Sequence, residues 1–516
     1  VENLMKNNLF EKVIESNKVF WSKVNKKDNL NGYLLYETFY NEPVRIYGIS
    51  KTALAIGKIK NLKPLGLISL RATEENKNLI YSMNNNIIGG KVKFFFSAMK
   101  NIFSIVKVLF SVKDKQSFLN LKVEQYEVGK YIYDAILANN RMVSIENINL
   151  NLLKKILLEV IYFFYFKDLI KSKNIKIIVL GDNVYRYGLL FELAKYNNIE
   201  CITPVNLNAF SMRKYNKSSE FNIHDRKPEK NILEKLDSNN VKNYIDEYFS
   251  KRFSANLEQH DVLKAFSNKK KIYTKNEIIK QYNLNPNLPI VIIMNHIFCD
   301  APHAYPDGLF DDYKEWLINT ILNLKKNKNI NFLIKEHPSA DLYSELGVIN
   351  EILRGLDCEH LLLKDDVHSL TVLNEFDVVI TCGGTIGQEF LYKGKPVVLG
   401  AKPPYSGFGF TIEPKTRYEY ESLMSKGIEK LPLLTSEQKE MVNKVIYHDF
   451  VLLDNYSDDL EIGGQRFYMG RDFEYDKFYE EILKYNDTSL NNQKIYKLLS
   501  KFISSDNKHL LKDNNE

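Results

Sequence analysis

Cysteine is scarce: four residues in 516, Cys201, Cys299, Cys358 and Cys382, all far apart. They fit no zinc-site or C-x-x-C spacing, which excludes a disulfide scaffold and points to a reduced, cytoplasmic chain. Charge of one sign is also in short supply. The 71 basic residues exceed the 64 acidic ones by only seven, a bias that suits an anionic ligand or a membrane surface and falls short of a nucleic-acid footprint. No internal repeat of roughly 20 to 50 residues is present, so a solenoid is excluded. The first residues, VENLMKNNLFEKVIES, are polar and charged, and no signal peptide is expected there.

Long apolar runs are missing too. The most apolar stretch is FFFSAMKNIFSIVKVLF, residues 94–110, and Lys100 and Lys107 interrupt it. That is short for a bilayer span. A buried helix of the first domain is the expected reading, and a basic amphipathic helix on a lipid surface is the alternative.

What is present is an α/β texture. At 44% hydrophobic and 26% charged residues the composition is globular, and the length exceeds one ordinary core, so two domains with appendages are expected. VRIYGI (44–49) reads as a strand, TALAIGKIKNL (52–62) as a helix and PLGLISL (64–70) as a strand. Residues 152–173 are helical in period and lead into the strand IKIIVLGD (175–182), a helix over 187–199 and a strand over 200–205. Apolar strands alternating with helices predict a parallel sheet covered on both faces.

From about residue 214 to 287 the texture is polar and helical, which reads as an interdomain connection. Alternation then restarts, with strands at 288–296, 330–337, 377–382 and 395–400 and helices over 313–327 and 368–376. The expected divisions are an N-terminal domain over 1–265, a linker over 266–287, a C-terminal domain over 288–465, and a helical extension with a polar tail over 466–516.

Ligands of open parallel sheets sit at the carboxyl ends of the strands, so residues just after strands are the candidates. NHIFCDAPHAYPDGLFDDYKEW brings His296, Asp300, His303, Asp307, Asp311 and Asp312 into seventeen residues. Carboxylates and imidazoles at that density suit general-base or nucleophilic chemistry. His296 and Asp300 are the catalytic candidates, while one of Asp311 and Asp312 is expected to cap the next helix. The two histidines, seven apart with Pro302 between them, do not share a helical face, and no metal site is expected.

In INFLIKEHPSADL, Pro338 stops the strand and keeps His337 extended, leaving Lys335 and His337 on one side of its mouth. An amine beside an imidazole suits a phosphate or carboxylate. In TCGGTIGQEFLYKGKPVV, Thr385 and Gln388 stand in the relation of a capping box. Gly383 and Gly384 remove side chains where backbone N–H groups could approach an anion, and Glu389 lies one turn on, placed to accept from sugar hydroxyls. An ordinary capped helix explains the same residues. The loop AKPPYSGFGFT (401–411) is either an aromatic surface for a base or sugar, or a rigid connection.

Together His337-Pro338 with Lys335, the turn and helix TCGGTIGQEFLYKGKPVV, and the H-x3-D loop from His296 to Asp300 resemble capsule and lipopolysaccharide glycosyltransferases of GT-B architecture. The likeness is to the Kdo transferases and GT-B sialyltransferases and covers roughly residues 288–450. The N-terminal half resembles them only in Gly181, Asp182, Tyr185, Tyr187 and Gly188. The resemblance implies two Rossmann-type parallel-sheet domains facing a cleft, with nucleotide held by Lys335, His337, Pro338, Gly383, Gly384, Thr385, Gln388 and Glu389. It implies a CMP-sugar co-substrate, and a glycan or glycolipid acceptor on the side of Asp182 and Tyr185.

This chain has Gly384-Thr385 where those families carry serine, which moves the phosphate role to backbone N–H groups and the Thr385 hydroxyl. The chain contains no D-x-D, the cation-holding arrangement of many nucleotide-sugar enzymes, so no metal or other cofactor is expected. The cysteine usage places the expected enzyme in the cytoplasm, and residues 91–110 offer a peripheral contact with the inner membrane. CDP-polyol phosphotransfer, UDP-sugar transfer or epimerisation, and a non-catalytic assembly component are the alternatives.

Overall fold

A computed structural model describes residues 2–24, 30–206, 211–257, 260–305, 307–453, 467–469 and 472–512. The chain divides into two compact units, one of residues 1–132, 148–226 and 451–516, the other of 133–147 and 227–450.

The first unit holds a six-stranded sheet made of β1 (Tyr33–Thr38), β2 (Lys63–Ile68), β3 (Ile87–Ile88), β4 (Ile175–Val179), β5 (Glu200–Asn206) and β6 (Ser211–Tyr215). Their order is β3-β2-β1-β4-β5-β6, and all neighbours are parallel except β5 and β6. The second unit holds a four-stranded parallel sheet of β7 (Ile290–Met294), β8 (Asn331–Lys335), β9 (Val378–Thr381) and β10 (Val397–Leu399), in the order β8-β7-β9-β10. β7 and β9 read IVIIM and VVIT and are buried along almost their whole length. Unbroken apolar runs of this kind belong to strands covered on both faces. The second core gathers Ile293, Ile380 and Val398 with Trp316 and Leu317 of the helix Tyr313–Leu324.

Two expected elements change type or setting. VRIYGI is not a strand but the start of the helix Pro43–Lys60. Pro43 presets the helical φ of the first turn, and the helix is buried from Pro43 to Gly57 except at Arg45, so its apolar run lacks the polar face that would have betrayed a helical period. Residues 94–110 form two helices, Lys91–Lys100 and Ile102–Ser111. They are not buried as expected: Phe95, Phe96, Phe103 and Phe110 are exposed.

The domain divisions also differ from expectation. Residues 227–287 belong to the second unit, because the helix Ser238–Phe253 packs on the helix Ser436–Tyr447 and Phe249 stacks on Tyr392 at 4.1 Å. The C-terminal helices belong to the first unit. Tyr475–Asn486 packs on Glu2–Val24, and Lys494–Ser504 on Pro43–Lys60. The expected boundary at 465/466 lies outside the described residues.

Candidate functional site

In the order β8-β7-β9 the carboxyl ends of three parallel strands lie side by side, and the chain leaving them carries most of the predicted residues. His296, Lys335, His337, Pro338, Gly384, Thr385 and Glu389 line one cavity of the second unit. It encloses about 760 Å³ of empty space, its open mouth included.

His296 follows β7 and stacks on Tyr313 at 4.6 Å. Its Nε2 accepts the backbone N–H groups of Cys382 and Gly383, both at 3.2 Å, and lies 3.1 Å from Thr381 Oγ1. An imidazolium would turn a proton against those donors, so the ring is neutral with its proton on Nδ1. Burial, with His337 adding to it, holds its pKa down to about 3. Of the two roles open to a histidine here, acid/base or orienting, the geometry favours the second, because His296 fastens the glycine turn after β9.

That turn is built for contact. A Cβ on Gly383 would lie 2.4 Å from the Tyr305 ring, and the Tyr305 hydroxyl donates to the Gly383 carbonyl at 3.1 Å. Gly383 is thus reserved for a tyrosine, and its N–H is spent on His296. Gly384 is different: its N–H donates to Thr381 Oγ1 at 3.3 Å, and a Cβ there would meet nothing closer than 3.5 Å. It is the N-cap of the helix Thr385–Tyr392 and supplies no side-chain cap.

The expected capping box does not form. Gln388 instead donates to Asp449 Oδ2 at 2.8 Å and does not line the cavity. Its predicted nucleotide contact is corrected on that ground. Tyr405 of the aromatic loop donates to the Gly384 carbonyl at 2.9 Å and is buried. Residues 401–411 therefore brace the turn from behind and contribute none of the cavity lining.

Glu389 is ion-paired. Arg252 Nε donates to its Oε1 at 2.8 Å, Arg252 Nη2 donates to Thr385 Oγ1 at 3.3 Å, and both charged side chains are buried. Lys335 Nζ donates to the Val367 carbonyl at 3.2 Å, and burial, aided by Lys270, brings its pKa down to about 8. Beside it the Glu336 carboxyl is pushed up to about 7 by burial, with Asp365 adding to the rise. His337 Nδ1 accepts the Ser339 N–H at 3.1 Å, so the neutral ring carries its proton on Nε2. The cavity therefore offers a partly desolvated amine, an imidazole donor and an uncapped helix start, groups suited to a phosphate.

Residues 229–421, inside the second unit, match the profile of a family described as a protein of unknown function, DUF354. The bifunctional purine biosynthesis protein PurH of Wigglesworthia glossinidia brevipalpis is 30% identical over 140 residues, 26% of this chain and 26% of that protein. The chain thus spans about a quarter of the length of that curated relative. Among solved structures it is similar to the β-Kdo 2,7 transferase KpsC of Thermosulfurimonas dismutans, with 14% identity over 60% of this chain and 89% of that one at TM-score 0.29. It is also similar to a glycosyltransferase from Rickettsia africae, with 13% identity over 88% of this chain and 99% of that one at TM-score 0.24. Superpositions this loose describe neither a substrate nor a reaction, and the two parallel-sheet units stand on their own strand order.

Other predicted residues lie apart from the cavity. Asp300 is exposed on the loop after β7 and is absent from the lining. Glu345 anchors that loop, accepting the N–H groups of Phe298 and Cys299 at 2.9 Å. His303 Nδ1 lies 2.6 Å from Asp134 Oδ1. Asp312 caps the helix Tyr313–Leu324, as expected of one of the aspartate pair, by accepting the Glu315 N–H at 2.9 Å. In the first unit Asp182 follows β4 and accepts the N–H groups of Asn183 and Val184, and Tyr185 adopts a left-handed φ of 53°. The buried Glu37 carboxylate, at the carboxyl end of β1, takes the N–H groups of Phe39 and Gly181, each at 2.7 Å. Among the described residues no group of three or more His, Cys, Asp or Glu is placed to hold a metal ion.

Arg252, Lys270 and Glu336 line the cavity and were not singled out from sequence. Glu336 sits between Lys335 and His337, where alternation along the strand gave it the opposite face. Arg252 and Lys270 carried no local signal, being two basic residues in a basic, polar stretch.

Proposed function

We propose that the chain is a glycosyltransferase of GT-B type that moves an acidic sugar, Kdo or sialic-acid-like, from a CMP-activated donor to a growing capsule or lipopolysaccharide glycan. The observation that carries this reading is the cavity where Lys335, His337 and the Gly384–Thr385 helix start converge on three neighbouring strand ends. In this reading the donor phosphate lies against the helix start, held by Lys335, His337 and the Thr385 hydroxyl, and needs no metal. Fixed donors of this kind stabilise charge that develops on a leaving phosphate. The Arg252–Glu389 pair sets the far wall, where the ribose would lie. In this reading the reaction takes place in the cytoplasm at the inner membrane, where a glycolipid acceptor is presented.

The test is to incubate the protein with CMP-Kdo, CMP-sialic acid and a panel of UDP sugars and to follow release of CMP or UDP. CMP release that depends on an acceptor, and is lost in His337→Ala, is the expected result. Turnover with UDP sugars alone would overturn the donor assignment. CMP binding with no turnover for any donor, and complementation of a gene deletion by both His337→Ala and Asp300→Ala, would make the chain a non-catalytic assembly component. Asp300 lies outside the cavity, so its place at the reacting centre is judged by the turnover of Asp300→Ala.

A further inference from the structure

In the first unit, the helices Lys91–Lys100 and Ile102–Ser111 turn apolar side chains outward. Val92, Phe95, Phe96 and Met99 form an i, i+3, i+4, i+7 stripe, and Ile102, Phe103, Val106 and Phe110 continue it on the second helix. All eight are exposed, Phe103 to 89% and Phe110 to 79%. Scattered apolar residues on a surface are ordinary, but a contiguous patch of this kind marks a binding face.

The stripe is not the side that holds the helices to the protein. Phe94 packs on Tyr162 at 4.7 Å, while Ser97, Ile105 and Val108 are buried. Ser97, Lys100 and Asn101 all donate to Asp168 of the helix Leu150–Ser172. Both helices are therefore apolar on two faces, and the inner face is already satisfied.

We propose that this outer face docks on an anionic lipid surface, its phenylalanines entering the headgroup region while the helices lie in the membrane plane. Charge complementarity selects that occupant. Lys91, Lys93, Lys107 and Lys113 are exposed around the stripe, and no acidic residue occurs from 91 to 113. Asp168, the carboxylate that Lys100 and Asn101 reach, is taken up by the hydrogen bonds above. Basic residues rimming an apolar helical face bind anionic lipid by combined burial and Coulomb attraction. Spanning is disfavoured by geometry: the pair is bent by 74°, and among the described residues no single helix is long and apolar enough to cross a membrane. The proposal deepens the inner-membrane location in the transferase reading, but it concerns a surface of the first unit and is tested without a sugar donor, so either can fail while the other stands.

The experiment is sedimentation of the full chain with phosphatidylcholine vesicles, with and without phosphatidylglycerol, at low and high salt. Binding is expected to require phosphatidylglycerol, to weaken with salt, and to fall by about tenfold or more for each of Phe103→Ser and Phe110→Ser. Lys91→Glu/Lys93→Glu/Lys107→Glu should abolish it, with circular dichroism and thermal unfolding of these surface variants unchanged. No binding to phosphatidylglycerol vesicles at low salt would overturn the proposal. So would a stable homodimer, seen by light scattering, that Phe103→Ser splits into monomers, because a second copy would then be the occupant.

Discussion

Arg252 Nε donates to Glu389 Oε1 at 2.8 Å in an ion pair whose side chains are only 3% and 5% exposed. Removing one partner of such a pair strands a buried charge, at a cost of about 3–5 kcal/mol. Arg252→Ala should therefore lower stability by that order in urea unfolding. Arg252→Met/Glu389→Leu, which removes both charges, should recover much of the loss while CMP affinity stays weak. Equal stability for the wild type and Arg252→Ala would show that the pair is not closed in solution.

The two glycines of the turn should part company. Gly383→Ala drives a methyl into the Tyr305 ring and should destabilise the protein by about 1–3 kcal/mol. Gly384→Ala has room for its methyl and should unfold at nearly the wild-type temperature. Its added carbon stands at the cavity wall beside the helix start, so titration calorimetry should show weaker CMP binding. Matching losses of stability in both variants would contradict this division.

His296 makes stability depend on pH in a defined direction. Its pKa is about 3 in the folded chain against an ordinary value of 6.5, so the unfolded state binds the proton more readily. Its contribution is fully present above about pH 6.5 and is lost as pH falls through that window toward 3. The slope is at most about 1.4 kcal/mol per pH unit. Unfolding free energies of the wild type and His296→Gln, compared across this window, should converge as pH falls. Parallel curves would mean that the ring is accessible to protons in the folded state.

Ligand binding should titrate at the strand mouth. Lys335, at about 8, loses its charge as pH rises through that value, and Glu336, at about 7, gains one. CMP affinity measured by calorimetry should therefore fall between pH 7 and pH 9. Glu336→Gln should remove the step near 7, and Lys335→Gln should weaken binding throughout and flatten the step near 8. A pH-independent affinity would place the phosphate away from both groups.

Much of the second unit was legible because its strands are apolar runs ended by turn residues. The start of β7, the proline after β8 and the glycines after β9 each reflect local constraints of the backbone. The failures have equally specific causes. VRIYGI was misread because a helix buried all round shows no polar face to set its period. The Thr385–Gln388 spacing matched a capping box, yet Asp449, sixty-one residues later, captured Gln388. His296 sat in the right place for a base, but its Nε2 is committed to the backbone of a turn more than eighty residues away. Residues 94–110 were apolar enough for a core helix, and nothing local said that their second face would be left outside.

By itself, the sequence determined the alternation of strands and helices, the strand ends at which His296, Lys335, His337 and Gly384 lie, and the want of a D-x-D or cysteine metal spacing. Those properties follow from side-chain period and backbone limits over a few residues. Only the tertiary structure decided that Arg252 closes on Glu389, that Gly383 serves Tyr305 while Gly384 faces the cavity, and which of two apolar faces on a helix is buried. These choices turn on contacts between groups remote in sequence, where shape and desolvation select one partner among many chemically similar residues.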